Sequence, residues 1–218
     1  MSLRINDTAP DFTADSTAGK LKFHEWIGDN YAILFSHPKD FTPVCTTEFG
    51  AVAQLADEFT RRNTKVIGVS VDSVEEHEKW KRDIEEFGGA PADFPIIDDG
   101  SLEVSKLYDM LPADAYLPDG RTPADTATVR TVFIIGPDKK VRLTMSYPMS
   151  VGRNFDEILR ALDAIQATDG QPIATPANWK AGQNVIVALS LNDDEAREKF
   201  GTFHAKIPYL RFTEAPNR

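Results

Sequence analysis

Two runs, Tyr31–Ser36 and Lys65–Val71, are apolar with little interruption and no longer than a strand. Strands read this way when both faces are buried, as in a sheet covered by helices on each side. Between and after them the period changes to that of a helix. Phe49, Val52, Leu55, Ala56 and Phe59 form one stripe, predicting a continuous helix that ends near Arg61-Arg62-Asn63. Ser73 caps a strongly charged helix that Gly88-Gly89 stops. Phe94–Asp98 reads as a short strand and Ser101–Asp109 as a short helix. Residues 111–127, with three prolines and a glycine, read as a loop. Val129–Ile135 and Val141–Tyr147 are strands joined by the turn signal Gly136-Pro137-Asp138-Lys139. Asn154, with Glu157 three residues on, caps a helix whose stripe is Phe155, Ile158, Leu159, Leu162 and Ile165. The expected fold is α/β, a mixed sheet with helices on both faces.

Composition shifts at Ala167–Pro172, which reads as a linker. Beyond it the sequence predicts one strand (Asn184–Leu191), a short helix capped by Asn192 and an extended end near Tyr209–Phe212. This small α+β extension is too short to hold a core alone, so it is expected to pack on the main domain or on a partner. The division expected is 3–166 and 167–218.

Cys45 is the sole cysteine. It follows Thr42, a good N-cap, and Pro43, favoured at the first helical position because its missing N–H would be unpaired there anyway. The count from the cap puts Cys45 at N3, where free backbone N–H groups and the positive end of the helix dipole favour a thiolate. Lone cysteines are more often small inert hydrophobes, and the cap, the proline and the first-turn position argue against that here.

Lys and Arg total 24 against 34 Asp and Glu, a net charge of −10, which makes nucleic acid and anionic membranes poor partners. No apolar run approaches spanning length and the first residues hold no apolar signal core, so a soluble protein is expected. One cysteine allows no internal disulfide framework and points to a reducing cytoplasm. His24, His77 and His204 stand singly, without metal-ligand spacing, and no metal or cofactor is expected.

Pro38, Thr42 and Cys45 match the Pro-x-x-x-Thr-x-x-Cys signature of the peroxiredoxins. Ser36–Glu48 as a whole resembles the one-cysteine, peroxiredoxin-6 type branch. So do Phe94–Asp99, Gly136–Lys140, Tyr147-Pro148 and Gly152–Glu157. The resemblance runs from about residue 8 to 166 and extends to the tail. It implies a thioredoxin-like fold with a C-terminal extension and a thiol-dependent peroxidase activity on hydrogen peroxide and organic hydroperoxides. It further implies that Cys45 is the peroxidatic residue, oxidised to a sulfenic acid. Thr42 is implied as the hydroxyl partner of thiolate and peroxide, donating to substrate while its lone pairs serve the cap. Pro38 is implied as a shield of the sulfur, and Arg130 as the cation that favours the thiolate, with Arg153 the alternative arginine. Val129, Val132, Phe133 and Ile134 surround Arg130 with apolar residues, so its charge needs a buried partner. His37 is implied to sit near the sulfur. Glu48, one turn after Cys45, either pairs with an arginine or is a solvated helix residue.

A thioredoxin-type oxidoreductase needs Cys-x-x-Cys, and Thr46, Thr47 and Glu48 follow Cys45 instead. A glutathione-transferase-like binding module would need no activated cysteine. Some members of this branch are described as phospholipases acting at a Gly-Asp-Ser-x-Gly segment. Here that place reads Gly28-Asp29-Asn30-Tyr31-Ala32, and asparagine has no hydroxyl to acylate, although His24 and Asp138 match the other suggested members. With no second cysteine, regeneration is expected from an external thiol: glutathione, a glutaredoxin or a thioredoxin-like donor. Val141–Tyr147 is expected to form an open sheet edge, and the resemblance implies edge-to-edge pairing into a homodimer, from which larger rings could be built.

Overall fold

The computed structural model describes residues 3–116 and 127–216. Two short strands, β1 (Thr13–Ala14) and β2 (Leu21–Lys22), lead into a short helix, α1 (Phe23–Ile27). Next come β3 (Tyr31–Ser36), α2 (Pro43–Gln54), α3 (Ala56–Arg61), β4 (Thr64–Ser70), α4 (Val74–Gly88), β5 (Ile96–Asp98) and α5 (Glu103–Leu107). A hairpin of β6 (Arg130–Ile135) and β7 (Val141–Tyr147) completes the main sheet. The expected loop at 111–127 lies largely outside the described residues, apart from a 3₁₀ turn at Ala113–Tyr116.

The strand order is β5-β4-β3-β6-β7, with β3, β4 and β5 parallel and β6 and β7 antiparallel. This is the mixed sheet that the apolar runs imply. Side chains alternate across it. Ala32 and Leu34 of β3 join Ile67, Val69, Ile97, Phe133 and Ile135 in a cluster closed by Phe12, Phe23, Ile27 and Val104. On the other face Phe35 meets the Phe49 ring of α2 at 4.9 Å, and Phe49 meets Trp80 of α4 at 4.7 Å. The two helices touch backbone to backbone: a Cβ placed on Gly88 would lie 2.8 Å from the Cα of Gly50.

The stripe from Phe49 to Phe59 is not one helix. It breaks at Leu55 (φ −95°, ψ 9°), and α3 restarts with Phe59 as its buried residue, packed toward β4. Periodicity survives such a break because both helices face the same sheet.

The residues group into two compact units, Met1–Arg153 and Asn154–Arg218. The second contains α6 (Phe155–Thr168), β8 (Ile173–Ala174), β9 (Val185–Val187), α7 (Asp193–Phe200), β10 (His204–Ile207) and β11 (Leu210–Thr213). Its strands form an antiparallel sheet ordered β10-β11-β9-β8. The boundary falls before α6, where the sequence reading puts it after residue 166. Ala164 and Ala167 of α6 pack with Ile173, Trp179, Val185 and Phe200, so this unit has a small core of its own. Its three buried members, Ile173, Trp179 and Val185, lie in the tail, and Ala164 joins them from α6.

Candidate active site

β3 ends at Ser36, and the chain turns through Pro38 and Asp40 into α2. Pro43 is N1 and Cys45 is N3 of that helix, as counted from the sequence. Thr42 occupies the N-cap with extended backbone (φ −114°, ψ 146°), but its side chain makes no cap hydrogen bond. Its hydroxyl donates to the Lys39 carbonyl at 2.8 Å instead. In this geometry the hydroxyl hydrogen lies on Lys39 and the oxygen lone pairs are open. Pro38 is buried.

Cys45 is fully buried. Arg130, the first residue of β6, points its Nη1 at the sulfur from 3.3 Å. The same Nη1 donates to Glu48 Oε2 at 2.6 Å, and Nε donates to the Met149 carbonyl at 2.9 Å. Glu48 is not a solvated helix residue. Arg153 grips it from the other side, Nε to Oε1 at 2.9 Å and Nη2 to Oε2 at 2.6 Å, with the Arg153 backbone N–H on Oε1 at 2.8 Å. Arg153 Nη1 also donates to the Ser36 carbonyl at 2.7 Å, and its guanidinium lies over the Phe35 ring at 4.8 Å. Arg130, Arg153 and Glu48 are all buried, and burial lowers the Arg153 pKa, opposed by the Glu48 charge and hydrogen bonds.

The charges of these four side chains decide the chemistry. Two guanidinium cations face one carboxylate, leaving an excess positive charge in a dry setting where an unbalanced ion is costly. A Cys45 thiolate brings the group to neutrality. Arg130 and Arg153 are thus not alternatives: one touches the sulfur, and the other holds the glutamate that holds the first.

His37 is buried, but its polar contact is with Asp40: Nε2 lies 2.6 Å from Oδ1. Its ring packs on Phe49 and Trp80, at 4.6 and 5.1 Å. His77, set aside in the sequence as solitary, meets the other Asp40 oxygen at 2.6 Å. Spacing could not reveal this grouping, because His77 arrives from α4. Asn30, His24 and Asp138, at the positions weighed for a lipase, are engaged locally. Asn30 Nδ2 donates to Ile27, the His24 ring meets the Ala9 carbonyl, and Asp138 accepts from Arg142.

Residues 5–144 match the family model described as the AhpC/TSA family, and residues 164–202 match the C-terminal domain of 1-Cys peroxiredoxin. The chain is 50% identical to Peroxiredoxin PRX1, mitochondrial, of Saccharomyces cerevisiae, covering 98% of this chain and 81% of that protein. It is 47% identical to Peroxiredoxin-6 of Mus musculus, covering 98% of each. Among solved structures, the C45S mutant of Peroxiredoxin 6 from Arenicola marina superposes with a TM-score of 0.92 at 41% identity over all of both chains. A yeast mitochondrial 1-Cys peroxiredoxin, described as resolved through glutathione/thioredoxin systems, superposes with a TM-score of 0.87 at 49% identity, over 97% of this chain and 99% of that one.

Proposed function

Because this chain belongs to the peroxiredoxin family, in its one-cysteine branch, and is a thiol-dependent peroxidase, we propose that Cys45 is its peroxidatic residue and Arg130 the cation that acts on it. The observation behind this reading is the 3.3 Å contact from Arg130 Nη1 to Sγ inside a group neutral only with a thiolate. The sulfur lone pair attacks the hydroxyl oxygen of the peroxide, the O–O bond breaks, and Cys45 becomes a sulfenic acid. The departing oxygen takes up a proton and leaves as water or alcohol. Arg130 opposes the negative charge that builds on that oxygen. Thr42 accepts the peroxide O–H through its free lone pairs, and Pro38 limits water at the sulfur. Glu48 and Arg153 hold the Arg130 guanidinium in place.

The sulfenic acid is reduced by an external thiol: glutathione, a glutaredoxin or a thioredoxin-like donor. The description of the yeast relative supports this class of reductant. The test is peroxide consumption by the protein without added thiol. One equivalent should vanish in a burst, and turnover should begin only when thiol is added. Catalytic consumption by the Cys45→Ser protein would overturn the assignment.

The working unit is a homodimer or a larger assembly of dimers. β7 lies at the edge of the main sheet; its first residue, Val141, pairs with Asn6 and Asp7, and the strand beyond it is the edge proposed to meet a second copy. Sedimentation giving a monomer at micromolar concentration would count against it. Among the described residues no helix is long and apolar enough to cross a membrane. A reducing compartment suits a free thiolate, and the cytoplasm is the one proposed, to be checked against mitochondria by imaging a tagged protein, since one relative is mitochondrial.

A further inference from the structure

His37, Asp40 and His77 are 0%, 2% and 0% exposed, and their hydrogen bonds imply a shared proton. His77 Nε2 lies 3.1 Å from the Ile97 carbonyl oxygen, which can only accept, so Nε2 carries a hydrogen. A neutral His77 would then turn a bare Nδ1 lone pair toward Asp40 Oδ2 at 2.6 Å, which is repulsive unless a further proton lies between them. His37 donates its Nε2 hydrogen to Oδ1, and its Nδ1 has no hydrogen-bond partner among the described residues. The three side chains together are therefore neutral, with one proton held between Asp40 and His77. Their ligand-type atoms lie within 4.8 Å of one another, the composition of a cation site. A tetrahedral zinc, however, would space its ligand atoms at about 3.3 Å. The two 2.6 Å contacts are shorter and fit protons as the bridges.

This relay ties down the loop that leads to the sulfur. His37 lies immediately before Pro38, and its carbonyl accepts from Thr128 Oγ1 at 2.7 Å. Asp40 donates its backbone N–H to Asp72 at 2.9 Å, and Ser70 holds the same Asp72 oxygen at 2.8 Å. Between Asp40 and Thr42 stands Phe41 at φ 54°, a left-handed conformation that a bulky residue keeps only when its surroundings impose it. The His37 ring rests on Phe49, one turn beyond Cys45, and on Trp80, whose Nε1 donates to Thr46.

We propose that Asp40 and His77 are positioning residues for peroxide reduction, the shared proton of the His37–Asp40–His77 relay clamping the loop that presents Pro38 and Thr42 beside Cys45. This rests on the assignment of Cys45 above. The titratable groups facing His37 are Asp40 from its own loop, His77 from α4 and Asp72 after β4, while α2 turns Phe49 on it. Burial holds the His37 pKa down against its Asp40 hydrogen bond. Asp40 also sits below its usual range, burial being outweighed by the two imidazoles. A second proton on His37 at acid pH would charge the relay and loosen the clamp.

The experiment compares two second-order rates at Cys45 from about pH 5 to 8, peroxide reduction and alkylation by iodoacetamide. Both reactions need access to the buried thiolate and only peroxide reduction also needs Pro38 and Thr42 in place, so the ratio of the two rates isolates the positioning of the loop. In Asp40→Asn the alkylation rate should stay within about twofold of wild type, while the peroxide rate drops by about tenfold or more. The far-downfield imidazole proton resonance of the wild type should vanish. His77→Asn keeps an N–H donor toward Asp40 but removes the shared proton, so it should fold, keep its alkylation rate within about twofold of wild type and show a ratio lowered by about tenfold at neutral pH. It decides the matter if Asp40→Asn fails to fold. A folded His77→Asn with the wild-type ratio at every pH would overturn the proposal. So would peroxide and alkylation rates that fall together in proportion to the folded fraction. If instead wild-type protein reduces no peroxide, the assignment of Cys45 fails.

Discussion

Arg130 and Glu48 show how single residues acquire a role that their types alone do not announce. An arginine at the start of a strand is ordinarily solvated, yet this one is buried with a thiol and a carboxylate on the same Nη1. Arg130→Ala should keep the fold, since Arg153 still pairs with Glu48, and should slow peroxide reduction about a hundredfold if roughly 2.7 kcal/mol of transition-state stabilisation is lost. Stopped-flow rates equal to wild type would show that the cation at the sulfur is not the one that works. The relay histidine gives a second prediction at this scale. The His37 pKa is lowered by burial, against the pull of Asp40. Below the unfolded value of about 6.5 the unfolded chain therefore takes up a proton that the folded protein refuses. Stability from this residue is present above that pH and is lost as the pH falls toward its folded pKa, by at most about 1.4 kcal/mol per pH unit. His37→Gln should show a correspondingly flatter stability curve than wild type in urea unfolding at successive pH values. Parallel curves would contradict the shift.

Among elements, those read correctly from sequence carry their signals within a few residues. Ser73 and Glu76 form a complete capping box on α4, Asn154 accepts from the Glu157 N–H at the start of α6, and Gly89 closes α4 in a left-handed cap. Pro43 and Cys45 fall at N1 and N3 for the same reason. What sequence could not show depends on tertiary contact. Glu48 and Arg153 meet across 105 positions and Asp40 and His77 across 37, with no spacing rule to join them. The break at Leu55 leaves the apolar stripe intact, so periodicity passes over it, and the Thr42 hydroxyl turns to Lys39 although the residue type suits a cap. The crossing of α2 and α4 is a further contact of this kind. Gly88→Ala would push a Cβ to 2.8 Å from the Gly50 Cα, backbone that cannot rotate aside. The helices must separate, at a cost of about 1–3 kcal/mol. A thermal midpoint unchanged from wild type would mean that the helices are not in backbone contact.

For the whole molecule the decisive property is a count. The chain has one cysteine, and it is fully buried at the start of α2. A sulfenic acid formed there finds no second thiol in its own chain. The only cysteine that a second copy could bring is another Cys45, buried likewise, and a disulfide needs Cα atoms within about 7 Å. Oxidised enzyme should therefore wait for an outside thiol, and excess peroxide should carry Cys45 on to sulfinic and sulfonic acid. The most direct measurement is intact-protein and peptide mass spectrometry of Cys45 after one equivalent of peroxide, with each candidate reductant then added in turn. The account predicts a sulfenic acid on an uncrosslinked chain, returned to thiol by an added thiol donor. A Cys45–Cys45 linked dimer formed at one equivalent and reduced during turnover would contradict it.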